Sequence, residues 1–203
     1  MTTLLLIRHG ENDFLKKHRL PGRLPGIHLN EDGRQQAAAL ADFLKDTPLA
    51  AIYASPLERA VETAEPLARL KGLKIQIVPA LADTDVGQWQ GRSWKVLRRT
   101  RAWKIVQERP AEFRFPDGES FLECQQRVVT ALEQIATAHQ PDETVAIIFH
   151  ADPIRLAIAH FLGMPLEAFR RLKVETGSVS AFRIHQSVWY LDHFNCKPFT
   201  PLA

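Results

Sequence analysis

The runs Leu4–Ile7 and Val145–Phe149 are apolar at every position. A strand that alternates apolar and polar residues buries one face, whereas an uninterrupted run buries two. Such strands need a covering layer on each side of their sheet, and the intervening sequence supplies amphipathic helices. "TLLLI" (3–7), "AAIYA" (50–54), "KIQIV" (74–78) and "VAIIF" (145–149) read as buried strands. The first helix, over 30–44, has Asn30 as its cap and Ala37, Leu40, Ala41 and Leu44 on one face. The second begins at "SPLERA", with Ser55 as N-cap, Pro56 at the first helical position and Pro66 as an expected interruption. A single helix over 93–108 aligns Val96, Thr100, Trp103 and Val106. The next aligns Phe121, Val128, Leu132 and Ile135, with Glu119 and Ser120 helping to start it. The last, over 152–162, takes Asp152 as cap and Pro153 at its start. "GSVSAFRI" and "SVWYLDHF" form a hairpin or two edge strands about Gln186 and Ser187. The expectation is one α/β domain over 1–203: a three-layer α/β/α sandwich around a mainly parallel sheet.

Composition narrows the function. The 203 residues are 45% hydrophobic and 24% charged, the balance of an ordinary globular protein, and the net charge of +3 is too mild to demand nucleic acid. No run approaches the roughly 18 apolar residues of a membrane span, and "MTTLLLIRHG" lacks the basic start of a signal peptide. Cys124 and Cys196 stand far apart, as free thiols of a reducing cytoplasm do. The eight histidines form no His-x-His or His-Glu-x-x-His set, so no metal and no cofactor is expected.

In open α/β sheets, ligands bind beyond the carboxyl ends of the strands. Strand one ends in Arg8-His9-Gly10, strand two runs into Ser55 and then Arg59, and the last buried strand ends in Phe149-His150-Ala151. Arg59 lies in a helix's first turn, outside its apolar stripe. Two arginines and two histidines thus converge with helix N-termini on one pocket suited to an anion. This set suits phosphoryl transfer without metal: cations hold the phosphoryl oxygens, a neutral imidazole attacks phosphorus, and a carboxyl group protonates the leaving oxygen and then activates water.

The ordered set "RHGEN", "SPLERAVETA", "LADTDVGQWQG", "PDGES" and "FHADPIRLA" resembles the histidine phosphatase superfamily, also called phosphoglycerate-mutase-like, over roughly residues 3 to 182. The resemblance implies that His9 becomes phosphohistidine. Arg8, Arg59 and His150 would surround the phosphoryl group, and the acid would come from "LADTDVG". Asp83 is the candidate there, with Asp85 in reserve. Where the family often has glutamate, Asp83 is one methylene shorter, and Leu15 stands where an asparagine is frequent.

Around the pocket, Ala151 and Arg19 are candidate substrate contacts. Lys16, Lys17, Arg19 and Arg23 belong to a basic rim loop, and Trp89 and Trp94 either wall the pocket or pack in the core. The leading expectation is a cytoplasmic phosphatase, monomer or homodimer, acting on a small phosphorylated metabolite. The rivals are a phosphoglycerate-type mutase, whose well-known members are longer than this chain, and a phosphate-binding regulatory protein with weak turnover.

Overall fold

The computed structural model describes residues 1–197. Its elements in chain order are β1 (Thr2–Arg8), α1 (Asp13–Lys16), α2 (Glu31–Phe43), β2 (Ala51–Ala54), α3 (Glu58–Lys71), β3 (Ile75–Ile77), α4 (Trp94–Leu97) and α5 (Arg101–Glu108). They continue with α6 (Phe121–Thr137), β4 (Thr144–Phe149), α7 (Ala151–Phe161), β5 (Val179–His185) and β6 (Val188–Cys196). One six-stranded sheet runs in the order β3-β2-β4-β1-β5-β6. The first four positions are parallel, and the tail hairpin adds β5 antiparallel to β1. Gln186 and Ser187 turn it, both with positive φ.

The two apolar runs bury both faces as their composition requires. Leu4, Leu6, Val145, Ile147 and Phe149 pack against α6 and α7, through Phe121, Val128, Leu132 and Ile154. The alternate residues Leu5, Ile7, Ala146 and Ile148 pack against α2 and α3, through Leu40, Ala41, Ala60, Ala64 and Leu67. The sandwich therefore has the expected three layers. Among the described residues no helix is long and apolar enough to cross a membrane, and Cys124 and Cys196 are free thiols.

Five local expectations need correction. "KIQIV" is not a buried strand: β3 lies at the sheet edge with Gln76 and Ile77 exposed. Ser55 does not cap α3, which starts at Glu58 after an extended Leu57; the Ser55 hydroxyl is engaged by a histidine described below. Pro66 does not interrupt that helix, which continues to Lys71. The 93–108 segment is two short helices, because Thr100 turns its hydroxyl onto the Trp103 amide and starts a new one. Leu97 is consequently buried, while Val96 is 55% exposed. Finally, α7 starts two residues early: His150 is its extended N-cap, and Asp152 pairs with Arg155 at 2.9 Å instead of capping. Ser120, by contrast, caps α6 as expected and forms a reciprocal capping box with Glu123.

Candidate active site

Sheet register assembles the site. Arg8 pairs with Phe149 and Ala54 with Ile148, so the residues that follow (His9, His150 and Ser55) lie side by side at one edge. The main chain locks them there: the His9 amide donates to Phe149 O at 3.0 Å, and the Ser55 amide to Ile148 O at 2.9 Å. The imidazole centroids of His9 and His150 are 5.1 Å apart. The turn after His9 requires glycine, since a Cβ on Gly10 would sit 2.7 Å from the Gly33 carbonyl oxygen in the first turn of α2.

Each histidine has a readable tautomer. His9 Nδ1 lies 2.6 Å from Gly10 O. A ring nitrogen facing a carbonyl must donate, so Nδ1 carries the hydrogen and Nε2 the lone pair. His150 Nε2 meets Ser55 Oγ at 2.7 Å, and its Nδ1 faces Asp83 Oδ2 at 3.7 Å. A lone pair on Nδ1 would confront a carboxylate. The favourable arrangement puts the hydrogen on Nδ1 and makes Ser55 the donor to Nε2, while Ser55 accepts from the Leu57 amide at 3.3 Å. Burial, followed by the neighbouring Arg59, holds both imidazoles well below the usual histidine range, so both are neutral at physiological pH.

The arginines are buried with them. Arg59 is fully buried; its NH2 donates to Gly22 O at 2.8 Å and to Asp83 Oδ2 at 3.1 Å. Arg8 NH1 donates to Val174 O at 2.7 Å. Burial, then Arg155, pushes its pKa down to about 10, which leaves it cationic at neutral pH. Among the described residues, four of the six buried side-chain donors without a protein partner belong to this group: Arg8 Nε, Arg59 Nε, Arg59 Nη1 and His150 Nδ1. Burial raises the Asp83 carboxyl above the usual carboxylate range, against the pull of Arg59.

Asp83 reaches this group although its side chain is short, because its loop is drawn inward. Arg127 on α6 donates to the carbonyls of Ala80, Ala82 and Asp83 at 2.7 to 3.0 Å, and to Glu119 at 2.6 Å. Arg23 adds a bond to Asp83 O at 2.8 Å and also contacts Glu119. Glu119 thus binds the guanidiniums that hold the loop, in addition to preceding the α6 cap. Asp85 takes the Gly87 amide and Arg23 on this same loop and does not line the cavity.

A cavity of about 250 Å³ opens from Arg8, His9 and Asp83 and includes Ala151 in its lining. Trp89 and Trp94 both line it, although Trp89 is also core. Arg19 does not reach it: Arg19 Nε donates to Gly91 O at 2.7 Å and its guanidinium covers the Phe14 ring. Lys16 is likewise held outside, by Asp32. Among the described residues no group of three or more His, Cys, Asp or Glu is placed to hold a metal ion. Ser55 and Arg127 were missed as site residues, and Arg23, expected on the rim, instead holds the Asp83 loop. Position offered the only sequence signal for Ser55, which follows β2 as His9 follows β1.

Residues 4–197 match the family model of the histidine phosphatase superfamily (branch 1). Phosphoserine phosphatase 1 of Hydrogenobacter thermophilus is 30% identical over 191 residues, covering 92% of this chain and 88% of that one. A probable phosphoglycerate mutase, GpmB of Erwinia tasmaniensis, is 29% identical and covers 93% and 88% respectively. The solved structure of Bacillus stearothermophilus YhfR superposes with a TM-score of 0.90 at 29% identity, over 96% of this chain and 97% of that one.

Proposed function

The chain belongs to the histidine phosphatase superfamily (branch 1), and on that premise we propose that it hydrolyses a small phosphomonoester through a phosphohistidine on His9. One observation carries the reading. Arg8, Arg59 and His150, each with a buried donor that has no protein partner, are neighbours of the His9 imidazole, whose Nε2 carries a lone pair. Buried donors cost free energy unless something accepts from them, and a phosphoryl group offers three acceptor oxygens with matching charge.

The chemistry proceeds in two steps. His9 Nε2 attacks phosphorus in line, the N–P bond forms, and the P–O bond to the leaving group breaks. That oxygen takes the proton of the Asp83 carboxyl. The product alcohol departs and water enters. The Asp83 carboxylate removes a proton from water as its oxygen bonds to phosphorus, the N–P bond breaks, and inorganic phosphate leaves with Asp83 protonated again. A carboxyl must be protonated in the first step and ionised in the second, and the raised pKa of Asp83 suits this alternation. Arg8 and Arg59 supply fixed charge at the phosphoryl oxygens, and the His150 Nδ1–H donates to one of them, so the chemistry needs no metal.

The test is to quench turnover of p-nitrophenyl phosphate in denaturant and map the phosphate. An acid-labile, base-stable phosphoryl group on His9 is the expected result, and full activity in His9→Ala would refute the mechanism. Measuring isomer formation from phosphoglycerates alongside phosphate release separates hydrolase from mutase. Dominant isomer formation would transfer the same phosphohistidine to the mutase reading.

A further inference from the structure

The cavity continues past the phosphoryl position, and there its chemistry changes. Beyond His9 and Asp83 it is walled by Leu15, Leu20, Trp89, Trp94, Trp103 and Phe115. Trp103 lies nearly parallel to Trp89, at 24° and 6.1 Å between centroids, and Arg170 sits over Trp103 at 5.7 Å. Trp94 is anchored by its amide to His18 O at 2.9 Å and packs beside the His18 ring. Trp94 and Trp103 are only partly buried and both line the cavity. The charged groups on this side are Arg98, Arg155, Arg170 and Asp152. Asp152, the one carboxylate there, is paired with Arg155 at 2.9 Å.

An ammonium group in such a compartment meets one carboxylate, already paired through Oδ1 with Arg155, and faces three guanidiniums. A leaving group such as serine would place its ammonium among more guanidiniums than carboxylates, which costs affinity. A flat apolar ring meets indole faces and an arginine, both of which favour it. Resting on the phosphatase reading above, we infer that the leaving group of the preferred substrate carries a neutral aromatic or heteroaromatic ring. The Trp94–Trp103 wall receives that ring while Arg8, Arg59 and His150 hold the phosphate.

The experiment compares 2-phenylethyl phosphate with ethyl phosphate and phosphoserine. All three release a primary alcohol, so the demand on Asp83 is similar and the ratio of kcat/KM reads the wall. The ring ester should exceed each of the others by about tenfold or more, as a buried ring warrants. Trp103→Ala should shrink that ratio by about tenfold, and Trp103→Phe should largely keep it. A binding arm works without chemistry: His9→Ala should bind 2-phenylethylphosphonate more tightly than ethylphosphonate, with a change in tryptophan fluorescence. Equal binding of the two phosphonates, preference for phosphoserine, or a ratio untouched by Trp103→Ala would overturn the inference. If no ester is hydrolysed while the ring phosphonate still binds preferentially, the hydrolase reading fails and the ring site stands.

Discussion

Asp83→Asn separates the charge compensation of Arg59 from the proton transfer proposed for that residue. Asp83 is the one side-chain carboxylate contacting the fully buried Arg59, at 3.1 Å among the described residues. With an effective dielectric of about 20, that separation corresponds to a gross attraction of about 5 kcal/mol. Burial of the carboxylate opposes it, as the raised pKa shows. Asparagine keeps a neutral acceptor, and Gly22 O still receives one donor. The net loss should therefore fall near the lower end of broken buried pairs, about 3 kcal/mol of folding free energy. The same substitution removes a negative charge that repels an incoming phosphoryl dianion, so phosphate and vanadate should bind more tightly. Urea unfolding with and without vanadate measures both effects. The variant should be less stable than the parent in anion-free buffer, and vanadate should stabilise it by more than it stabilises the parent. Turnover of esters with poor leaving groups should fall by about 10²–10⁴, with p-nitrophenyl phosphate less affected in its first step. An Asp83→Asn protein as stable as the parent, and no better at binding vanadate, would refute the charge-compensation argument.

Ser55→Ala should lower kcat by about tenfold or more with little change in ground-state phosphate affinity, because His150 loses the donor that keeps its hydrogen on Nδ1; nitrogen-15 shifts of His150 should report a mixed tautomer. Acidification should destabilise the fold. His9 and His150 stay neutral when folded but take protons near pH 6.5 when unfolded, so the unfolded state binds more protons and stability drops as pH falls through that value. The slope approaches about 2.7 kcal/mol per pH unit for the pair, offset in part by His28, which Glu62 raises, and by Asp83 as it protonates; urea midpoints should flatten with pH in His150→Gln. Arg127→Met should release the 80–83 loop and lower kcat for poor leaving groups while vanadate affinity is kept. Prolonged EDTA treatment should leave activity within about twofold, well inside the tenfold that 1.4 kcal/mol represents.

The parts legible in sequence share a physical cause. Apolar runs without alternation announce burial on both faces, and the strand ends they define carried Arg8, His9 and His150 to one edge. Helix starts were less legible. Ser55 has the chemistry of an N-cap and sits before a proline, yet its hydroxyl is engaged by His150, ninety-five residues away. Only the pairing of β2 with β4 reveals that neighbour. Arg59 is legible as a pocket residue from its place after β2, but its full burial is not, because the compensation by Gly22 O and Asp83 comes from two distant loops. Arg19 and Arg127 show the reverse problem. Both are basic residues near family motifs, and only tertiary hydrogen bonds send one to the rim and the other under the acid-bearing loop.

The break at residues 98–100 divides the pocket between two regimes of local opening. His9 follows β1, which is hydrogen-bonded along both sides in the middle of the sheet, and amides there exchange with solvent only when most of the molecule unfolds. Trp94 and Trp103 stand on helices of four and eight residues, too short to persist without packing. Small openings can release that pair of turns and leave the sheet intact. Hydrogen exchange should therefore show a fast-exchanging patch over 94–108 beside a slow one over 2–9. Raising temperature should erode selectivity for the leaving group before it erodes affinity for phosphate.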